Sequence, residues 1–371
     1  MKKKNLLLLS HNLDLGGAPF FLLNLAKGFL LKNYEVHLVS PQDGPLKDEF
    51  ENNGIRVSVF DFNKNSGVKD IIRYCDTNHI DLIFFNTILM HGLIIDLKKL
   101  EIPFVWAIHE SEIDHYEEIL KFKKESFSRC NKIIFAAEET KKLYLEYLDG
   151  EDHVKIIPNG IDWQAIKIFK QKYSQSSLRK KYGHTKSDTI VVSVGTVCER
   201  KGQYEFVQAA LYLLRSDLID KKHTFFYVVG YKEIYDYGQQ LKKMIKSFGC
   251  EDNIRLIGET KGIFDYYHIP DIFVCTSYIE SFPLVILEAM AFEKAIISTD
   301  VYGIKEQIED KKDGLLFSPG MFTELKDGLL RLIKDGRLRK KIASGAFSKA
   351  KQKFQMSTMQ ENYEDLFLSL F

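Results

Sequence analysis

What this chain lacks narrows its class before any motif is read. No apolar run approaches the ~20 residues needed to span a bilayer, so a membrane-embedded protein is not expected. The five cysteines, Cys75, Cys130, Cys198, Cys250 and Cys275, are odd in number and scattered without metal-ligand spacing. That argues against a disulfide framework and for a reducing compartment, the cytoplasm. Charge of one sign is missing as well: 52 Lys+Arg stand against 51 Asp+Glu, a formal net charge of +1, and no nucleic-acid partner is indicated. Up to Asp162 there are 20 Lys+Arg against 25 Asp+Glu, and beyond it 32 against 26. The basic second part suits an anionic ligand, and ordinary solvated helix faces account for the same counts. Met1-Lys2-Lys3-Lys4 with Leu6 to Leu9 looks briefly like a signal peptide, but the run is short and lacks a small-residue cleavage site. A first β-strand is the expectation.

Two nucleotide signatures are also absent. Gly16-Gly17 lacks the full G-x-G-x-x-G fingerprint, and the loop after Gly195 has no Gly-Lys-Ser/Thr ending, which weakens dinucleotide and ATP readings. No Asp-x-Asp stands at a strand end to hold a divalent ion.

What is present is a repeated alternation of strand and helix over 371 residues, too long for one core of usual size. Near-continuous apolar runs of the kind buried on both faces of a parallel sheet predict strands over residues 5–10, 35–40, 55–60, 81–85, 103–108, 132–136 and 154–157. Helices are expected over 68–78, 93–100 and 138–148. Pro158-Asn159-Gly160 is a turn signal. The polar stretch 163–186 reads as a linker plus the first helix of a new unit. The alternation then restarts with strands over 189–194, 224–229, 254–257, 271–275 and 295–299, and helical patterns fill the tail. Two domains follow, 1–165 and 166–356, with the closing helix, about 357–371, joining the first.

In open parallel sheets ligands bind at the carboxyl ends of strands, and the candidate residues fall there. Gly16-Gly17 follows the first strand, either as a tight turn or as a close approach of backbone to a ligand. His109 stands at the end of the strand 103–108. Gly195, Arg200 and Lys201 follow the strand 189–194, where the two cations read as an exposed turn or as partners of a diphosphate. Gly230 and Gly258 end neighbouring strands, as plain turns or as room for a flat base. Gly303 and Asp313-Gly314 add glycine and acid at neighbouring ends. Past Cys275, a polar loop carries Glu280, and a helix expected over 284–291 carries Glu288, two turns in. The first turn of such a helix offers unpaired N–H groups and a positive dipole to an anion. Phe282, Pro283, Leu284 and Val285 lie at this junction, and all but the proline carry a backbone N–H. Two hydroxyl-binding acids around a phosphate site suit a sugar nucleotide.

Taken together, Gly16-Gly17, Asn159-Gly160-Ile161-Asp162, Gly195 with Arg200-Lys201-Gly202, Glu280 and Glu288 at seven intervening residues followed by Ala289-Met290-Ala291, Gly303-Ile304-Lys305-Glu306 and Asp313-Gly314-Leu315-Leu316 resemble the retaining glycosyltransferases of family 4, also called group 1. The resemblance implies an α/β GT-B fold, two Rossmann-like parallel-sheet domains facing across a cleft. It implies that Arg200 and Lys201 hold the donor diphosphate and stabilise it as it leaves. Glu288 would bind the ribose hydroxyls, Glu280 the donor sugar, and His109 would face that sugar. Thr196 stands where many members have Arg or Ser and Pro283 where many have Gly, departures that remove no charged group the chemistry needs. The implied activity is retaining, metal-independent hexosyl transfer in bacterial-type polysaccharide biosynthesis. The donor would be a nucleoside-diphosphate sugar, UDP-sugar rather than GDP-sugar, and the acceptor a glycan or lipid-linked glycan. No cofactor is expected. The alternatives are a non-catalytic GT-B protein that binds sugar nucleotide or glycan, and a GT-B epimerase or phosphorylase. A lipid-linked acceptor would bring the protein to the inner face of a membrane, with Phe20-Phe21-Leu22 or Lys121-Phe122-Lys123-Lys124 as contact candidates.

Overall fold

The computed structural model describes residues 3–32 and 34–371. The chain divides into two compact units, Met1–Gly160 with Met356–Phe371, and Ile161–Gln355.

The first unit is built on β1 (Lys4–Leu9), β2 (Tyr34–Ser40), β3 (Arg56–Val59), β4 (Leu82–Asn86), β5 (Phe104–Ile108), β6 (Lys132–Phe135) and β7 (Val154–Ile156). All pair in parallel, in the order β3-β2-β1-β4-β5-β6-β7. The apolar run in β1 is continuous because both faces of the strand are covered. Leu6 and Leu8 join one core with Phe21, Phe29 and Phe84. Leu7 and Leu9 point to the other, with Phe85, Trp106 and Phe127. The helix Gly17–Leu31 follows β1, with Pro19 in its first turn, where its missing N–H costs no hydrogen bond. The last helix, Met356–Leu368, lies on the same layer: Phe29 and Phe367 stack at 4.8 Å between centroids, and Met359, Tyr363 and Leu366 are buried there.

The second unit repeats the plan with β8 (Thr189–Val194), β9 (Thr224–Tyr231), β10 (Ile254–Gly258), β11 (Ile272–Cys275), β12 (Ala295–Thr299) and β13 (Leu315–Phe317). The order is β10-β9-β8-β11-β12-β13, again all parallel. Each sheet therefore reverses its strand order at one place, between β1 and β4 in the first and between β8 and β11 in the second. In open parallel sheets such a reversal is where ligands bind.

Several elements differ from the sequence expectation. The stretch 163–186 is two helices rather than a linker and one helix, Trp163–Lys172 and Gln175–Lys181. Asp162 and Ser174 cap their first turns, accepting from Ala165 N (2.9 Å) and Ser177 N (3.2 Å); a polar composition hid two well-capped helices. The helix expected over 138–148 stops at Lys142 and continues as turns, with Tyr144 N bonded to Lys141 O and Tyr147 N to Tyr144 O. Tyr144 and Tyr147 reach instead for Glu110 O and Glu117, a tertiary pull that no local period records. The helix expected over 93–100 spans His91–Asp96 after a short 3-10 turn, Ile88–Met90. Three short helices, Lys47–Asn52, Ile113–Leu120 and Lys124–Arg129, are too brief to show a period, as is β13.

The membrane-contact candidates also change. Phe21 and Leu22 are in the core and only Phe20 reaches the surface, because the period of the helix turns 21, 22, 25 and 29 inward together. Phe122 packs against His91, Phe127 and Tyr147, leaving lysines rather than an apolar patch outside. Among the described residues no helix is long and apolar enough to cross a membrane.

Candidate active site

The candidate residues fall into two sets, one per unit. In the second unit the loops after β8 and β11 are neighbours because those strands pair, Ile272 beside Val191 and Phe273 beside Val192, although about 80 residues separate them. Lys201 Nζ makes an ion pair with Glu280 Oε1, and both side chains are largely buried. Ser277 Oγ donates to the same oxygen at 2.8 Å. The loops are knitted at the backbone too: Tyr278 N donates to Arg200 O (2.9 Å), Arg200 NH1 to Ile279 O (3.2 Å) and Thr276 Oγ1 to Lys201 O (3.0 Å). A buried lysine held by a carboxylate costs less than a lone buried charge, and an incoming anion can exchange for that carboxylate.

The turn carrying the cations depends on Gly202. Its φ is 62°, and a Cβ there would come within 2.2 Å of Thr276 O, so no other residue lets the β8 loop lie against the β11 loop. Gly230, at φ 107°, is required for a similar reason, since a Cβ would meet Gly195 O at 2.2 Å. Its position is explained by the neighbouring strand end, with Val197 N bonded to Gly230 O at 3.2 Å, before any ligand is invoked. Gly195 follows β8 and donates to Val229 O at 3.0 Å. Gly258 ends β10 at a register shift and is exposed.

The helix Leu284–Ala291 begins where the sequence placed it. Pro283 is its N-cap and supplies no side-chain cap, so within the first turn the capping residue takes only Ile286 N, through its carbonyl at 3.3 Å. Gln307 Nε2 fixes Pro283 O at 3.0 Å. The helix starts at Leu284 as expected, so Glu288 is its fifth residue, and at 3.6 residues per turn it lies about one turn in rather than two. Burial pushes its carboxyl up to about 7, opposed by the nearby Tyr267 hydroxyl, although the residue keeps some accessible surface.

The first unit holds Gly16, Gly17 and His109. Gly16 caps the helix Gly17–Leu31 with ordinary extended angles, and a Cβ on Gly17 would meet nothing within 4 Å. Neither glycine is demanded by the chain's own geometry, which leaves room at a helix start as the physical reason for both. His109 is held by Asn86, with Nε2 and Oδ1 2.8 Å apart, and its ring meets Phe21 edge-on at 4.6 Å. Burial, then His11 nearby, drives its pKa down to about 4, so the imidazole is neutral at physiological pH.

Comparison with known proteins gives the family and the fold. Residues 15–164 match the sequence model of Glycosyltransferase Family 4, and residues 174–349 that of Glycosyl transferases group 1. The chain belongs to this glycosyltransferase family. It is 26% identical over 225 residues to the N-acetyl-alpha-D-glucosaminyl L-malate synthase of Bacillus anthracis, spanning 59% of this chain and 57% of that protein. It is 25% identical over 296 residues to the capsular polysaccharide biosynthesis glycosyltransferase CapH of Staphylococcus aureus, spanning 77% and 78%. The crystal structure of Anabaena Alr3699/HepE in complex with UDP-glucose matches with a TM-score of 0.86 at 23% identity, over 98% of this chain and 99% of that one. The fold of this glycosyltransferase is thus the GT-B class, two Rossmann-like parallel-sheet domains in one chain.

Sequence reasoning missed several residues that this glycosyltransferase brings to the same strand ends. Ser277 and Thr276 organise the Lys201–Glu280 pair; Asn86 and His11 lie beside His109, and Thr87 beside His11. The rule that selected His109, a polar residue just past a parallel strand, selects Asn86 at the end of β4 equally well. One asparagine among the many in the chain gave no reason to apply it.

Proposed function

We propose that this glycosyltransferase is a retaining, metal-independent hexosyltransferase that takes its sugar from a nucleoside-diphosphate sugar, a UDP-sugar in preference to a GDP-sugar. The acceptor is a glycan or lipid-linked glycan in bacterial-type polysaccharide synthesis. The observation that carries the reading is the Lys201–Glu280 pair with Arg200 at the β8/β11 switch point, in the same unit as a helix start that has no side-chain cap.

As the sugar–phosphate bond breaks, negative charge grows on the leaving phosphate oxygen. Fixed cations and helix N–H groups at that oxygen stabilise the transition state more than the ground state. In this scheme the diphosphate draws Lys201 Nζ away from Glu280, and the freed carboxylate accepts hydrogen bonds from sugar hydroxyls. Binding and activation are thereby coupled through one exchange of partners. Arg200 and Lys201 together supply the positive charge that a divalent ion would otherwise bring. Glu288 takes the ribose hydroxyls. The UDP-glucose bound by the Anabaena protein and the capsular role in the name of CapH support the donor and acceptor classes.

The test is release of nucleoside diphosphate from labelled UDP- and GDP-sugars, with the anomeric configuration of the product determined. UDP-sugar turnover that survives a chelator and gives retained configuration is expected. Lys201→Ala should lower kcat about 10²-fold or more, as loss of a transition-state donor does elsewhere. Turnover of no nucleotide sugar, or a Lys201→Ala variant altered in binding alone, would sink the transferase reading.

A further inference from the structure

The ends of β4 and β5 carry a polar relay that the scheme above leaves unused. Asn86 is fully buried and bridges the helix that follows β1 to His109. Its Nδ2 donates to Ala18 O at 3.0 Å, which fixes the amide and turns Oδ1 toward His109 Nε2 at 2.8 Å. An amide oxygen accepts only, so Nε2 must carry the ring proton. A second observation marks the place as built. Thr87 holds φ 85° and ψ 159°, a region nearly confined to glycine and costly for a β-branched residue. Its peptide is pinned on both sides, N–H to Ala107 O at 2.8 Å and C=O from Trp106 Nε1 at 2.7 Å. Such strain persists only where the surroundings over-determine it, and here it delivers the Asn86 side chain to His109 and Thr87 Oγ1 to within 3.5 Å of His11 Nδ1.

We propose that Asn86 is a positioning residue for sugar transfer, holding His109 as the Nε2–H tautomer with Nδ1 presented as a lone-pair acceptor for a hydroxyl of a bound carbohydrate. Among the described residues Nδ1 has no hydrogen-bond partner; the ring's contacts are Asn86 and Phe21. Burial keeps the imidazole neutral, so the lone pair is available across the physiological range. The titratable groups facing the ring are His11, from the loop after β1, and Glu110, whose Oε2 already accepts from Ile88 N and His109 N. The identity of the hydroxyl rests on the transferase reading; the tautomer does not.

Two-bond nitrogen–proton correlation spectra of the histidine-labelled full chain test the tautomer directly, with His109→Gln to assign the signal. Wild type should show Nε2–H at neutral pH, and Asn86→Ser a mixture of tautomers. Asn86→Asp, which puts a carboxylate against the ring, should raise the His109 pKa. An Nδ1–H form or an imidazolium in wild type at neutral pH overturns the proposal without any variant. With UDP-glucose as donor, Asn86→Ser should lower kcat about tenfold, the worth of one hydrogen bond. Asn86→Asp should move the acidic limb of the pH profile upward by the change read in the spectra. Lost activity with an unmoved limb means a merely structural role and overturns the proposal. If wild type turns over no nucleotide sugar, the transferase reading and the proposed role fail together, while the spectra still decide the tautomer.

Discussion

At the scale of single residues, the two acids at the start of the helix Leu284–Ala291 have different surroundings and should answer substitution differently. Glu280 is tied to Lys201 and Ser277, so Glu280→Gln should slow transfer more than it weakens donor binding. Glu288→Gln should chiefly weaken donor binding, and steady-state kinetics beside nucleotide titration separate the two. Glu288 also carries a pH signature. Its folded-state pKa of about 7 lies above the ordinary 4.5, so the folded protein holds this proton more tightly than the unfolded chain does. Ionisation therefore penalises folding increasingly between about pH 4.5 and 7 and fully above that. Glu288→Gln should raise the melting temperature relative to wild type more at about pH 8 than at about pH 5; a gain independent of pH would contradict the buried carboxyl. The glycines separate in the same way. Gly230→Ala must displace Gly195 O from 2.2 Å and should lose on the order of 2 kcal/mol or more in stability. Gly17→Ala meets nothing within 4 Å and should fold normally, so weaker substrate binding in that variant reports a ligand lying against the glycine.

At the scale of elements, the helix Leu284–Ala291 was readable in full, because Pro283 fixes its start and the apolar run from Leu284 to Leu287 fixes its identity. Its role can be probed without breaking it. Pro283 already has the φ of −66° and ψ of 126° that a following proline demands, and proline is tolerated at the first helical position. Leu284→Pro should therefore fold with little change in melting temperature while removing one N–H from the proposed anion site. UDP affinity should fall about tenfold or more, as loss of a hydrogen bond to a charged group does; unchanged affinity would show that this N–H does not meet phosphate. Elements such as 138–148 and 163–186 were misread for opposite reasons. Tyr144 and Tyr147 are drawn out of helical register by partners remote in sequence, whereas Asp162 and Ser174 start helices that their polar composition conceals.

At the scale of the whole molecule, the last helix returns to the first unit although it follows the second. Met359, Tyr363, Leu366 and Phe367 are buried there, the Lys32–Glu364 ion pair tethers it, and Gln360 Nε2 donates to Asn24 O at 2.8 Å. Each buried side chain contributes roughly 1.5–3 kcal/mol, so four are comparable to the whole net stability of a domain, about 5–15 kcal/mol. A chain ending at residue 355 should lose the fixed packing of the first unit, seen as loss of near-ultraviolet circular dichroism; retention of that signal would show the helix to be dispensable. The sequence alone determined the alternation of strand and helix, the strand ends on which chemistry collects, and the family. These are local: a run buried on both faces has no period, and glycine, charge and helix start are written next to one another in the chain. Only tertiary structure decided that β8 lies beside β11 and β1 beside β4, which brings Lys201 to Glu280, and that Asn86 of β4 holds His109 of β5. Those pairings are set by sheet order and by the packing of residues distant in sequence, and no window of the chain contains both partners.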